Sequence, residues 1–330
     1  MKIIEKNIEY MDFNLKSFNT IFQGMNFAVF DIETTGLSSS YASIMLSGMI
    51  LVRNGKADFI QLLAERPQDE EKLLIETFKR LASVDYVVTF NGHRFDIPFI
   101  IERKEKLLPN EDLPELPYNL DLYRIVNSYS DLRSMLPDLR QKTVERFMGL
   151  NHCRMDKISG EDSVKMYREY LKNGDKELEK QILLHNSDDI ELLYALIPVI
   201  HYCDFHRALC FTGFPVKDMG IIYQIKLTKK QLTIKGNLAN PFSYENFPVL
   251  GSNYYLNCNG KTGDFTMDIP VEPLNNYVIC DLMAIDKNFK TEGIPDVTSG
   301  YMILSKDSIP SYSSICMLGS SILCYICGLK

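Results

Sequence analysis

Apolar and polar positions fall along this chain in blocks that read in turn as strands and helices. Phe27–Phe30 is an unbroken apolar run and predicts a buried strand. Ile44–Val52 and Ala57–Leu63 are two more, joined at Asn54-Gly55, a strong signal for a tight hairpin. Asp69 stands where it could cap a helix whose apolar stripe is Leu74, Phe78 and Leu81. Tyr86–Phe90, rich in β-branched and aromatic residues, predicts the next strand. Asn91-Gly92 ends it. Residues 95–104 carry a helical pattern, with Pro98 tolerable in the first turn. Beyond a loop holding Pro109, Pro114 and Pro117, Asn119–Tyr123 predicts a short strand. The order βββαβαβ implies an α/β unit with a mixed five-stranded sheet: an antiparallel trio, then crossover units that place helices on its faces. Helices dominate from Leu139 to about Cys203, punctuated by Asn173-Gly174, with Asp175 placed to cap the last of them.

After His206 the texture changes to short alternating runs between Gly and Asn turns, which is the pattern of antiparallel strands. A boundary is expected near Cys203 to Phe214. The chain thus reads as an N-terminal segment (1–26), an α/β domain (27–205) and a smaller β-rich domain (206–330). The most apolar stretch, Ile315–Leu329, is too short and too broken by Gly319, Ser320 and Ser321 to span a bilayer. Buried strands are expected there instead.

Composition narrows the function. A formal charge of -7 over 330 residues argues against a protein wrapped in a basic field, such as a histone-like binder. It does not argue against acids that hold metal ions, because the ions invert the local charge. The first 26 residues carry Lys2, Glu5, Lys6, Glu9 and Asp12 without a continuous apolar run, so no secretory signal is expected. Eight cysteines in a chain of this length suit a reducing compartment, and a cytoplasmic location is expected. Cys324 and Cys327 form a CxxC that Cys280 and Cys316 could complete into a zinc site, though the spacing is not diagnostic.

Three acidic sites carry the chemistry. Asp31 and Glu33 end an apolar strand, and residues two apart on a strand share a face. Two carboxylates so placed repel each other unless solvent screens them or a cation sits between them. Asp96 follows another strand at the start of a helix. Asp189 lies in the helix expected over 177–200, on the apolar stripe of Ile182, Leu193, Leu196 and Ile200, with His185 one turn earlier on the same stripe. Glu191 and Ser187 lie on the other side. Asp188 points about 100° away from Asp189. Four inward acids from separate segments suggest one cluster, balanced by two Mg²⁺ or Mn²⁺ ions, which take carboxylate and water ligands. Such a pair clamps an in-line phosphoryl displacement. A histidine beside it can take a proton from water near neutral pH.

These motifs resemble those of the DEDD exonucleases, also called DnaQ-like, which have a ribonuclease H-like fold. "DIETTGL" (31–37) looks like their first motif. "NGHRFD" (91–96) looks like the second, in the form seen in family-B polymerase exonuclease domains, and "HNSDD" (185–189) like the third. The helical run from Leu139 to Leu171 that precedes the third motif is similar to that of the YprB-type prokaryotic subgroup. The resemblance covers about residues 27–203. It implies a two-metal 3′→5′ exonuclease acting on single-stranded DNA or RNA ends, with metal ligands at Asp31, Glu33, Asp96 and Asp189 and His185 as general base. It further implies that Thr34 and Leu37 touch the terminal nucleotide, and that Asn91 and Phe95 line the path of the strand. Two departures stand out. His185 and Asp189 have the spacing of the family's tyrosine branch, and Ser159 replaces the proline of the usual Asp-Ile-Pro-Gly turn.

Taken singly, each motif has an ordinary alternative. Asp31 and Glu33 could be a solvated strand end, Asp96 a helix cap, and His185 a core histidine partnered by Asp189. Asp121 has a structural hydrogen-bonding role open to it as well as a place in the site. Arg133, Arg140, Lys142, Arg146, Arg154, Lys157, Lys165 and Arg168 make the helical insert basic; they form either a solvated face or a seat for a phosphate backbone. Lys226, Lys229, Lys230 and Lys235 repeat the ambiguity in the β-rich part. The competing reading of the whole is a nucleic-acid-binding or scaffolding module that uses the same cleft without turnover. A glycosidase built on a carboxylate pair is more distant, since the chain has no Trp to form a sugar platform.

Overall fold

The apolar runs of the first two hundred residues fold as the strands their pattern predicts. The structure, a computed structural model, describes residues 1–150, 152–155, 158–248, 253–287, 289 and 294–330. The chain divides into two units: Met1–Asn14 with Gly24–Cys203, and Leu15–Gln23 with Asp204–Lys330. Residues 1–26, expected as a separate segment, are thus shared between the two. Lys157, and with it the start of the Asp-Lys-Ile-Ser-Gly turn, lies outside the described residues.

In chain order the first elements are β1 (Lys2–Ile8), α1 (Lys16–Phe22, part of the second unit), β2 (Phe27–Thr34), β3 (Ile44–Arg53) and β4 (Lys56–Leu63). There follow α2 (Glu70–Leu81), β5 (Tyr86–Thr89), α3 (Asp96–Leu107) and β6 (Tyr118–Asp121). The helical run holds α4 (Leu122–Tyr129), α5 (Leu132–Met135), α6 (Gln141–Phe147), α7 (Gly160–Asn173) and α8 (Lys176–Leu196). The sheet of the first unit is mixed, in the order β1-β4-β3-β2-β5-β6. β2 pairs antiparallel with β3 and parallel with β5. Among the described residues this sheet has six strands rather than five. The sixth, β1, pairs antiparallel with β4 from Lys2 opposite Leu63 to Ile8 opposite Ala57. Its lysines and glutamate suit an edge strand, whose outer side must not invite another chain, and they hide it from a search for apolar runs.

β2 and β3 are buried on both faces, which is why they read as continuous apolar runs. On one face Phe30, Ile32 and Leu51 meet Leu74, Phe78 and Ile100 from α2 and α3. On the other, Met45, Leu46 and Leu63 meet Tyr167, Tyr170 and Ile182 from α7 and α8. Full burial of one such side chain contributes about 1.5–3 kcal/mol. The hairpin between β3 and β4 turns at Asn54 (φ 51°) and Gly55 (φ 72°), both left-handed as a two-residue turn requires. Asp175 caps α8 by accepting the Glu177 N–H at 2.8 Å. Asp69 precedes α2 but does not cap it; its carboxylate accepts the Glu65 N–H at 3.2 Å instead.

The second unit adds α9 (Phe205–Thr212) and an antiparallel sheet of β7 (Phe214–Val216), β8 (Gly220–Leu227), β9 (Gln231–Leu238), β10 (Tyr244–Asn246), β11 (Tyr255–Cys258) and β12 (Asp264–Pro270). Its order is β10-β11-β12-β9-β8-β7. A smaller sheet holds β13 (Glu272–Leu274), β14 (Tyr277–Asp281), β15 (Val297–Thr298), β16 (Tyr301–Lys306) and β17 (Ile309–Pro310). The expectation of strands at Ile315–Leu329 fails. Tyr312–Cys327 is one helix, α10, with Ile315, Leu318, Ile322, Leu323 and Ile326 buried. Their spacing of three and four residues is helical, and the small residues between them break a strand pattern but not a helix. Among the described residues no cysteine belongs to a group that could hold a metal ion, so the cysteine quartet is not assembled. Cys324 and Cys327 lie on α10, Cys280 on β14, and the Cys316 sulfur lies 3.6 Å from that of Cys210. All eight cysteines are free. Among the described residues no helix is long and apolar enough to cross a membrane.

Candidate active site

The site forms where β2 outruns its parallel neighbour. β5 pairs with β2 only along Phe27–Val29, so the end of β2 projects past it. Asp31, Ile32 and Glu33 there line a cavity of about 730 Å³ together with Asp96, His185 and Asp189. The four acids read from the sequence are therefore brought together, and His185 with them. Glu33, His185 and Asp189 form the tightest group. The His185 Nε2 lies 3.5 Å from Glu33 Oε1 and 3.6 Å from Asp189 Oδ2. The one-turn spacing on α8 places both His185 and Asp189 over the strand. Each residue offers a ligand atom, and these atoms lie within 4.8 Å of one another.

Asp96 is the first residue of α3 and is buried. Its Oδ1 accepts the Ile32 N–H at 3.2 Å, a donor that lies beyond the reach of β5. That bond ties the start of α3 between Asp31 and Glu33. Burial pushes the Asp96 carboxyl up to about 7. Asp31 is also held well above the ordinary carboxylate range, first by burial and then by the charges of Asp96, Glu33 and Asp189. Both shifts begin with burial; at Asp31 the neighbouring acids of the cavity add to it, whereas at Asp96 the added charge is that of Asp121.

Asp121 is structural. Its carboxylate accepts the N–H groups of Asn91 (2.8 Å), His93 (3.0 Å) and Arg124 (3.3 Å). It thereby caps α4 and pins the loop that turns at Asn91 (φ 68°) and delivers Asp96. Asn91 and Phe95 line the cavity. Thr34 and Leu37 are not among its lining residues. The Thr34 hydroxyl donates to the Gly36 carbonyl at 2.8 Å, and Leu37 is 89% exposed. Asp188 turns to the Met155 N–H at 2.6 Å. Ser187 and Glu191 pair with each other on the far side of α8.

Three features escaped the reading of the sequence. The first is a buried amide chain. Gln61 Nε2 donates to Asn186 Oδ1 at 3.0 Å, and Asn186 Nδ2 donates to Asp31 Oδ2 at 3.2 Å. The second is Gly48, directly opposite Asp31 on β3. A Cβ there would stand 2.1 Å from Asn186 Oδ1, so glycine is what leaves room for the Asn186 carboxamide in this position. An isolated glycine inside an apolar strand is the signal that could have found it. The third is Arg154, counted from the sequence among solvated or phosphate-holding cations. Its side chain is 10% exposed; the guanidinium forks onto Glu145 (2.8 and 3.1 Å) and reaches Asp189 Oδ1 at 2.7 Å. Of the other insert cations, Arg140, Lys142 and Arg146 line the cavity along with the acids.

Residues 28–200, just over half of the chain, match the family model of the RNase_H superfamily. No curated protein matches. Among solved structures the chain is similar to the family B DNA polymerase from the hyperthermophilic archaeon Pyrobaculum calidifontis, at 16% identity and a TM-score of 0.42. The match covers 54% of this chain and 24% of that one, so the chain spans about a quarter of that polymerase's length.

Proposed function

Because the chain belongs to the RNase_H superfamily, we propose that its first unit is a metal-dependent 3′→5′ exonuclease of the DEDD, or DnaQ-like, kind and of the YprB type. It acts on single-stranded nucleic-acid ends and releases nucleoside 5′-monophosphates. One observation supports this above the others. Asp31, Glu33, Asp96 and Asp189 come from three separate elements to one cavity, and the carboxyls of Asp31 and Asp96 are raised by burial, that of Asp31 also by the charges of the other three. Such an arrangement is unfavourable by itself and favourable around cations.

The donor set fits Mg²⁺ or Mn²⁺: carboxylate oxygens, which hard divalent ions prefer. Asp31, Glu33, Asp96 and Asp189 would hold a pair of ions, which supplies charge to activate water and to stabilise the leaving oxygen. His185 takes the proton from the attacking water. Asn186 orients Asp31 through its amide, and Arg154 orients Asp189. Asn91 and Phe95 flank the incoming strand, and Thr34 and Leu37, which follow Glu33 along the chain outside the cavity lining, are assigned to the terminal nucleotide.

The test is Mn²⁺-dependent degradation of a single strand labelled at its 5′ end. The wild type should shorten it stepwise, and Asp31→Ala should abolish this while the thermal melt persists. Undiminished cleavage by Asp31→Ala refutes the site. A wild type that only shifts the strand in a gel replaces the enzyme with a binding module.

A further inference from the structure

The second unit carries a basic hairpin and a polar pocket that the acids of the first unit leave unexplained. Lys226 stands on β8, Lys229 and Lys230 in the turn that follows, and Lys235 on β9; all four are exposed. Pairing fixes the face they use. Lys226 lies opposite Thr233 and Lys235 opposite Gln224, so both lysines stand on the outer face, while Ile225 and Ile234 between them are buried. Among the described residues none of the four lysines makes an ion pair or a side-chain hydrogen bond. Asp268, opposite Thr233 on β12, is occupied by the Thr233 hydroxyl at 2.6 Å. Like charges gathered on one hairpin repel each other, and an anion relieves them.

The hairpin ends at a pocket of about 420 Å³, within the range of sites for small organic ligands, roughly 300–1,000 Å³. Three turns build it. Lys229 comes from the turn between β8 and β9, Asn275 and Asn276 from that between β13 and β14, and Asp307 and Ser308 from that between β16 and β17. Hydrogen bonds tie these turns together. Asn276 Nδ2 donates to Asp307 Oδ1 at 2.8 Å, and the Asp307 N–H donates to the Asn276 carbonyl at 2.8 Å. The Val271 N–H, just before β13, donates to the Lys230 carbonyl at 3.0 Å. The pocket is thus preformed. Tyr277 gives it an aromatic wall, and the Lys306 Nζ stands 5.8 Å from that ring's centroid. The one acid in the lining is Asp307, already engaged by Asn276; Glu272 is exposed on β13 outside the lining.

This combination fits one chemistry best. A polyanion satisfies the lysines, a planar base lies against Tyr277, and the amides and the Ser308 hydroxyl offer donors and acceptors to a base edge or a sugar. A carboxylate-rich peptide would use the lysines and leave the ring and amides idle. We infer that the second unit binds single-stranded nucleic acid on its own account, the backbone along the β8–β9 hairpin and one base in the pocket at its tip. The inference rests on the nuclease reading for the class of ligand, and it gives the substrate strand a hold outside the acidic cavity.

Removal of divalent ions with EDTA separates the two sites, because the bare acids of the first unit repel phosphate whereas the lysines need no metal. Fluorescein-labelled oligothymidylate should still bind the wild-type protein under EDTA, read by anisotropy. Lys226→Ala and Lys229→Ala should each flatten the dependence of log affinity on log salt by about 0.7. Tyr277→Leu should weaken binding about tenfold and leave that slope unchanged. Poly-L-glutamate should compete poorly with the strand. Mn²⁺-dependent hydrolysis of the p-nitrophenyl ester of thymidine 5′-monophosphate, which needs the acidic cavity alone, should be the same in all variants. Lys226 and Lys229 are exposed, so their variants keep the inference testable if Tyr277→Leu fails to fold. A wild type that binds no strand under EDTA overturns the inference, and so do variants that all bind as the wild type does. Competition by poly-L-glutamate as strong as by unlabelled oligothymidylate also overturns it, in favour of an acidic protein. A protein that binds the strand through these residues yet hydrolyses neither ester nor strand overturns the nuclease reading and leaves the second-unit site standing.

Discussion

Gly48→Ala should damage the site from the opposite strand without touching any acid. A Cβ at Gly48 would stand 2.1 Å from Asn186 Oδ1 and 2.8 Å from its Cγ and Nδ2. Ordinary contact begins at 3.4 Å, so the carboxamide must retreat by about 1.3 Å (3.4 less 2.1). It has two ways to do so. Asn186 can rotate, losing its bonds to Gln61 and Asp31. Gln61 keeps the Leu183 carbonyl, but the fully buried Asn186 amide is left unsatisfied, at about 1–3 kcal/mol. Alternatively α8 moves outward, at about 1–3 kcal/mol of strain, and carries His185 and Asp189 with it. Either route lowers the melting transition of the first unit by roughly 2–4 °C per kcal/mol. A displacement of the catalytic groups on the scale of an ångström lowers the rate about a hundredfold. The assay pairs calorimetry with Mn²⁺-dependent hydrolysis. In the double variant Gly48→Ala/Asn186→Ala the clash is gone, so its stability loss should be smaller than the sum of the two single-variant losses. A Gly48→Ala protein with unchanged melting and unchanged activity would refute the reasoning.

Arg154→Ala leaves Glu145 buried without its ion pair and should cost about 3–5 kcal/mol in urea unfolding; a loss below 1 kcal/mol, as for a solvated cation, would sink the assignment. Asp121→Ala strips the acceptor from three N–H groups, at about 1–3 kcal/mol, and should raise hydrogen exchange at Asn91 and His93 most; uniform exchange would contradict its role in pinning that loop. The raised Asp96 carboxyl fixes a pH dependence. Its folded value of about 7 exceeds its ordinary 3.8, so protonation favours the metal-free fold: the contribution is full below 3.8 and lost as pH rises through about 7. Chelated protein should therefore lose stability over that window, and Mn²⁺ affinity should rise over it as the proton is displaced. A metal affinity flat across the window would count against burial of that acid at the site.

Much of this was legible in the chain. The strands of the first sheet show as apolar runs because both faces are covered. The acids show because they break those runs, and His185 with Asp189 because helical spacing keeps them together. What stayed hidden depends on partners distant in sequence. β1 looks like a charged segment until β4 supplies its hydrogen bonds. Arg154 looks solvated until α6 places Glu145 beneath it. Asn186 has no meaning until Gly48 makes room for it. α10 was misread because an apolar run broken by small residues fits a strand or a helix, and only its three-and-four spacing decides.

The acids that meet on β2, α3 and α8 lie far apart along the chain. Ile32 and Asp96, which bond, are 64 residues apart, and Asn186 and Asp31 are 155 apart. No contiguous peptide cut from this unit could chelate an ion as the whole does. A divalent cation bound here would recognise tertiary docking itself, stabilising the native ensemble by RT ln(1 + [M]/Kd) and the denatured one hardly at all. Metal supply would then govern how long the molecule persists as well as how fast it turns over.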